Sequence, residues 1–101
     1  MIKGLLLMLL LAAGAEAQDS ALVARGQGVF KDQGCYGCHT VGKTGTPIAT
    51  DLSRIGAKHD EAYLDRWLRD PSQEKPRQHM PKLKLTEAEV KALAAYLGSL
   101  R

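Results

Sequence analysis

Apolar residues recur at helical spacing in three stretches of the chain. The first stretch runs from Asp19 or Ser20, either of which is a good helix N-cap, to about Gln33. Gly26 lies on its apolar face, where a glycine costs about 1 kcal/mol relative to alanine. We therefore predict that Gly26 lets another helix approach closely. Gly34 is expected to end this helix.

Two further helices are predicted towards the C-terminus. One spans residues 60–69, is capped by Asp60 and is stopped by the aspartate–proline pair that follows it. The other spans residues 86–97, where Thr86 and Glu89 have the spacing of a capping box. Both helices carry an apolar stripe, so both are expected to pack on a shared core.

The segments between these helices are expected to be loops. One short helical turn is predicted at residues 51–55, ended by Gly56. Residues 71–85 contain three prolines and are predicted to form an extended loop. No strand alternation is evident along the chain, so the pattern predicts an all-α fold with three main helices.

Residues 1–17 have the pattern of a secretory signal peptide. A short positive start is followed by an almost unbroken apolar run at residues 4–14, and residues 15–17 have the small-x-small form of a cleavage site. The apolar run is shorter than the roughly 20 residues that span a bilayer. We predict cleavage after Ala17, export to the periplasm without a permanent membrane anchor, and one domain over residues 18–101.

Composition limits the classes of partner and the size of the core. The chain has 14 lysines and arginines against 11 aspartates and glutamates, and the predicted signal peptide removes one residue of each sign, so the net charge stays +3. This charge is too small to indicate a nucleic-acid partner. With five aromatic residues the core is thin, and domains of this size often need a staple or a cofactor.

The segment Cys35-Tyr36-Gly37-Cys38-His39 carries the candidate chemistry of the chain. Two cysteines separated by two residues and followed directly by a histidine have the spacing for covalent attachment of haem. Each thiol can add across one porphyrin vinyl group, and His39 can then supply the proximal nitrogen to the iron. The sequence therefore predicts one haem c, bound covalently through Cys35 and Cys38.

A second axial ligand is available in the loop before the last helix. Met80 is the only methionine after Ala17, and its neighbours are hydrophilic, which makes it a poor candidate for a core residue. A thioether is a soft, neutral ligand, and Met/His ligation raises the potential of a haem. We predict Met80 as the second ligand in preference to His79, which could replace it. His59 is expected to be a surface residue.

Together these features resemble the small soluble bacterial cytochromes c of class I type, which bind one haem with a histidine and a methionine. The resemblance covers essentially the whole chain after residue 17, through Gly26 in the first helix, the Cys-x-x-Cys-His motif, Met80-Pro81, and Tyr96 in the last helix. It implies the cytochrome c fold, in which three main helices and loops wrap around one covalently attached haem. We expect a monomer that transfers electrons and is not itself an enzyme.

The resemblance also implies roles for residues around the haem. In the family, a proline carbonyl after the motif accepts the other N–H of the proximal histidine, which fixes the ring and raises its basicity. Pro47 and Thr50 are the candidates here, and we predict Pro47, although Thr50 occupies the place where a proline is common. Trp67, the only tryptophan, is predicted to lie against the haem, with its indole N–H directed at a propionate.

Basic residues flank the haem-binding segments in the sequence. In the family, such residues steer the encounter with acidic partners and raise association rates more than affinity. We therefore expect redox proteins with acidic docking surfaces as donor and acceptor of a periplasmic electron carrier that cycles one iron between Fe(II) and Fe(III). The flanking residues are Lys31, Lys43, Lys75, Arg77, Lys82 and Lys84.

Other functions remain open from the sequence. The nearest alternative is a dedicated haem-binding subunit of a periplasmic oxidoreductase. A haem enzyme or gas sensor needs an open or labile distal site, which Met80 argues against. A thiol–disulfide oxidoreductase using Cys35 and Cys38 would favour a strand–helix setting, which the pattern lacks. A zinc site is poorly served by Cys38 and His39, because adjacent residues make poor tetrahedral geometry.

Overall fold

The computed structural model describes residues 19–101, so the predicted signal peptide lies outside the described residues. Within this range the protein is mostly helical, as predicted. None of the helices described over residues 19–101 is long and apolar enough to cross a membrane. The elements in chain order are α1 (residues 19–32), a 3₁₀ turn (Cys35–Gly37), β1 (Thr40–Val41), β2 (Thr44–Gly45), α2 (Ile55–Lys58), α3 (Glu61–Arg69), α4 (Pro71–Glu74) and α5 (Glu87–Ser99).

Helix caps confirm the predicted starts of α3 and α5. The Asp60 carboxylate accepts a hydrogen bond of 2.8 Å from the backbone N–H of Tyr63. At α5 the capping box is complete, because the Glu89 N–H donates to the Thr86 hydroxyl at 3.2 Å and the Thr86 N–H donates to the Glu89 carboxylate at 2.9 Å. Each helix thus begins where its side chains satisfy the first free N–H groups.

Three local predictions need correction. The short helix near residue 55 is α2, which runs through Gly56 and does not end there. Pro71 starts the single turn of α4, because proline is already set for the first helical position and lacks an N–H that would go unused there. The antiparallel pair β1–β2 was not predicted, because two residues per strand leave no alternating pattern to detect.

The core lies where α5 meets α1 and α3. Phe30 and Leu93 are almost completely buried at its centre. The predicted role of Gly26 is confirmed, since a Cβ on this residue would overlap the Ala92 carbonyl and lie 2.6 Å from the Cβ of Tyr96 on α5. The backbones of α1 and α5 therefore cross in direct contact, with no room for a side chain.

A second close contact and an ion-pair network fix the ends of α5. The N–H of Gly56 donates to the carbonyl of Leu100 at 2.7 Å, so α2 abuts the C-terminal end of α5. At the other end, the Arg69 guanidinium holds both oxygens of Glu87 at 2.6 and 2.8 Å and also binds Asp65 at 2.6 Å. These bonds hold α3 and the start of α5 together and leave the loops around residues 38–53 and 75–81 to build the site.

Candidate functional site

The Cys-x-x-Cys-His motif forms one tight turn directly after α1. Gly34 has a φ of 77°, a left-handed value that favours glycine, and it turns the chain from α1 into the motif. The N–H groups of Cys38 and His39 then both donate to the carbonyl of Cys35, at 3.3 and 3.0 Å. The two thiols and the imidazole are therefore presented from a single turn.

The two thiols of the motif are free and differ in exposure. Cys35 is half-buried and packs against the hydrophobic core, whereas Cys38 is exposed. Burial raises the pKa of the Cys35 thiol. Redox-active thiols have a lowered pKa, which makes them thiolates at neutral pH, so this environment argues against thiol–disulfide chemistry at Cys35.

Metal-ligating side chains other than those of the motif are scattered. Within residues 19–101, no three His, Cys, Asp or Glu side chains are placed to hold a metal ion together. A structural zinc site takes four such ligands.

The His39 ring is held by a hydrogen bond of 2.7 Å between its Nδ1 and the carbonyl oxygen of Thr50. A carbonyl only accepts, so Nδ1 must carry the proton and donate. The neutral imidazole then presents an unprotonated Nε2, which is the form that binds a metal. The geometry leaves His39 one free nitrogen, fixed in direction by a backbone partner.

The prediction that Pro47 supplies this carbonyl is wrong. The Ala49 N–H donates to Cys38 at 2.7 Å and the Leu52 N–H donates to Thr40 at 2.8 Å, so residues 49–52 run alongside residues 38–40. This pairing sets the Thr50 carbonyl opposite His39. Pro47 instead lies within a turn closed by a bond of 2.9 Å from the Ile48 N–H to the Thr46 carbonyl.

Met80 is half-buried against the same core as Cys35, and a side chain from α3 reaches its sulfur. The indole Nε1–H of Trp67 donates to the Met80 Sδ at 3.2 Å. The prediction for Trp67 directed this N–H at a haem propionate, whereas the structure pairs it with the thioether. The sulfur has a polar partner and a fixed direction of approach.

Gln78 also holds Met80, and sequence reasoning did not single it out. Its amide nitrogen donates to the Met80 carbonyl at 2.9 Å, and its amide oxygen accepts from the Met80 N–H. A glutamine two residues away can satisfy both backbone groups of one residue, but glutamines in loops are common, so the spacing alone carries little signal.

The two remaining histidines have different surroundings. His79 is exposed, as expected of a loop residue. His59 is partly buried and stacks on Tyr63, with ring centroids 4.0 Å apart, so the expectation of a plain surface residue needs correction. Tyr63 in turn lies 6.4 Å from Trp67, which places three aromatic rings in a column along the start and one face of α3.

The side chains present fit a covalently attached haem. Two free thiols and an imidazole with an available Nε2 are the groups that attach a c-type haem and bind its iron, and the half-buried thioether of Met80 is a ligand type found in cytochromes c. Cys35, Leu52, Tyr63 and Met80 come from the motif, the following loop, α3 and the later loop, and all pack against one core. The flanking basic residues Lys31, Lys43, Lys75, Arg77, Lys82 and Lys84 are all exposed.

The chain matches a family model and is similar to several known proteins. Residues 23–101 match the family model described as Cytochrome c. The chain is 32% identical over 100 residues to "Cytochrome c oxidase subunit 2" of Alkalihalophilus pseudofirmus, covering 90% of this chain and 29% of that protein. It is 35% identical over 95 residues to the protein of the same name from Bacillus sp., covering 75% and 25%. It is 27% identical over 88 residues to a nitric oxide reductase subunit from Stutzerimonas stutzeri, covering 81% and 60%.

The chain thus spans between 25% and 60% of the length of these relatives. The family match, in contrast, includes all residues of the motif, the Thr50 loop and the Met80 loop. Because it extends over most of the chain, this protein belongs to the cytochrome c family.

Proposed function

We propose that this protein is a bacterial class I type cytochrome c that transfers single electrons between redox partners in the periplasm. Cys35 and Cys38 would hold one haem, and His39 and Met80 would bind its iron. The observation that carries the proposal is the pairing of each ligand with a fixed partner, His39 with the Thr50 carbonyl and Met80 with the Trp67 indole. When bound, the haem supplies an iron that gains and loses one electron.

The residues around the two ligands prepare them for this role. The Thr50 carbonyl fixes the His39 ring and raises the basicity of its Nε2. The Trp67 indole occupies one acceptor site of the Met80 sulfur and leaves another lone pair for the metal. Because both ligands are already held in place, little rearrangement accompanies a change of oxidation state, as fast electron exchange requires.

The exposed basic residues support docking to acidic partners. Residues 75–84 carry four lysines and arginines and no aspartate or glutamate, and this stretch includes the Met80 loop. Such a local excess of positive charge raises the rate of encounter with an acidic surface, with a dependence on ionic strength. We therefore propose that this protein is a monomer and that its donor and acceptor proteins carry acidic patches at which it docks.

The first experiment measures visible spectra of the exported holoprotein for the wild type, Met80→Ala and the matched neighbour His79→Ala. We expect the weak long-wavelength band of sulfur ligation in the wild type and in His79→Ala, and its loss in Met80→Ala. If the band is absent from the wild type and the reduced protein binds carbon monoxide readily, the distal site is labile. A haem enzyme or sensor would then be the better assignment.

A second candidate function follows from the names of the relatives. These relatives are subunits of an oxidase and of a nitric oxide reductase, and the alignments cover 75–90% of this chain. The protein could therefore serve as a dedicated haem-binding subunit or module that feeds electrons to a larger oxidoreductase. A tagged full-length chain purified at low and at high salt separates the two: a partner in fixed ratio at both indicates a subunit, and the chain alone indicates a carrier.

A further inference from the structure

Asp51, the residue after Thr50, accepts three hydrogen bonds although it is exposed. One carboxylate oxygen of Asp51 accepts from the Thr40 hydroxyl at 2.9 Å, from the Ser53 hydroxyl at 2.7 Å and from the Ser53 N–H at 3.2 Å. These bonds hold the pKa of Asp51 below its usual range. The carboxylate is therefore ionised at neutral pH, and its hydrogen bonds are charge-assisted.

The Asp51–Thr40 bond lies next to the bond that holds His39. Thr40 follows His39 directly, and Asp51 follows Thr50 directly. The two bonds, Nδ1 to carbonyl at 2.7 Å and hydroxyl to carboxylate at 2.9 Å, therefore join the same two segments one residue apart. A movement that separates the two segments therefore weakens both bonds.

Two more bonds between these segments make the arrangement a clamp. The Leu52 N–H donates to the Thr40 carbonyl at 2.8 Å, and the Gly42 N–H donates to the Ser53 hydroxyl at 2.7 Å. The Ser53 hydroxyl thereby accepts from the segment that follows the motif and donates to Asp51 within its own segment. The side chains of Thr40, Asp51 and Ser53 supply the part of this clamp that the backbone alone does not.

We propose that Asp51, together with Thr40 and Ser53, forms a positioning group that holds the Thr50 carbonyl on His39 and so sets the donor strength of the histidine. The proposal rests on His39 being the proximal ligand. A hydrogen bond from Nδ1 to a carbonyl raises the basicity of a ligating histidine. A more basic histidine stabilises the oxidised iron more than the reduced iron, so loosening the clamp raises the midpoint potential.

Thr40→Val is the most selective perturbation, because it removes the hydroxyl that binds Asp51, keeps the Asp51 charge and nearly keeps the shape of the side chain. Thr40→Ser keeps the hydroxyl and is the rescue variant. Asp51→Asn removes the charge but keeps an acceptor oxygen, so it separates an electrostatic effect from a positional one. Thr46→Val is the matched control, because the Thr46 hydroxyl, in the same loop, makes no hydrogen bond with residues 19–101.

The first readout is the midpoint potential of each holoprotein. We expect Thr40→Val to raise the midpoint potential by up to about 59 mV. This shift corresponds to a tenfold change in the affinity of His39 for the oxidised iron relative to the reduced iron. Thr40→Ser and Thr46→Val should keep the wild-type value. A Thr40→Val/Asp51→Ala double variant should match Asp51→Ala alone, because both remove the same bond.

The second readout is solvent exchange of the His39 Nδ1 proton, followed by NMR in the reduced holoprotein. We expect exchange at least tenfold faster in Thr40→Val and Ser53→Ala than in the wild type and Thr46→Val. If proton exchange is unchanged in Thr40→Val and Ser53→Ala, the potential of Thr40→Val is unchanged and the spectra are those of the wild type, the positioning role alone is overturned. A wild type without a protected His39 Nδ1 proton and without the methionine-dependent band would instead overturn the proposed ligation.

Discussion

Replacing Gly26 by alanine should destabilise the fold, although alanine is the better helix former. A Cβ at this position would lie 2.6 Å from the Tyr96 Cβ and 2.6 Å from the Ala92 carbonyl carbon, and would overlap the carbonyl oxygen. Carbon atoms in contact are normally about 3.5–4.0 Å apart. The blocking atoms belong to the α5 backbone and a Cβ, which cannot swing aside, so α1 must move away by roughly 1 Å.

The expected loss of stability in Gly26→Ala follows from two opposing effects. Overpacking a close contact typically costs about 1–3 kcal/mol, and this contact belongs at the upper end because Ala92 and Tyr96 are 0% and 5% exposed and leave no slack. Alanine regains about 1 kcal/mol of helix propensity. The net loss for Gly26→Ala is therefore about 2 kcal/mol.

Gly28 on the same helix provides the matched control. A Cβ there would meet nothing within 4 Å, so Gly28→Ala should gain up to about 1 kcal/mol from propensity alone. Urea denaturation of the two holoproteins measures both changes, which should have opposite signs and differ by about 3 kcal/mol. Equal stability of Gly26→Ala and Gly28→Ala would refute the argument that the helices cross in backbone contact.

Three further outcomes are expected. Trp67→Phe should lower the midpoint potential by up to about 60 mV, because the Met80 sulfur loses its hydrogen bond and becomes a stronger donor to the iron. Tyr63→Phe keeps the stacked rings and should leave the potential unchanged. If the two variants have equal potentials, the indole has another partner in the holoprotein. The intact mass of the exported protein should correspond to a chain that begins at the residue after Ala17. A mass that includes residues 1–17 would contradict cleavage there. Hydrogen bonds from the last residue of α3, an arginine, lower the pKa of Glu87. The stabilisation from this ion pair is therefore complete above the ordinary value of 4.5 and is lost as pH falls through the lower folded value. Glu87→Gln should therefore be less stable than the wild type at neutral pH but lose less stability between about pH 5 and pH 3, and parallel urea midpoints across that range would contradict this.

The parts of the fold that could be predicted from the sequence depend on neighbours close in the chain. Asp60 and the Thr86–Glu89 pair act within one helical turn, so residue type and spacing are enough to place the helix starts. The same holds for Gly34, whose left-handed φ ends α1 just before the motif. Gly26 could be predicted as a close approach because a glycine on an apolar helix face is costly without one.

The partner of His39 could not be predicted in this way, because it is a backbone carbonyl. Every residue, proline included, carries the same carbonyl acceptor, so residue type at positions 47 and 50 does not distinguish them. The choice depends on how residues 49–52 pair with residues 38–40, a register fixed by bonds such as that from the Leu52 N–H to the Thr40 carbonyl. A change at position 50 itself should therefore alter His39 little as long as the carbonyl stays in place. Changes to the Asp51 or Thr40 side chain, which loosen the contact between the two segments, should alter it more.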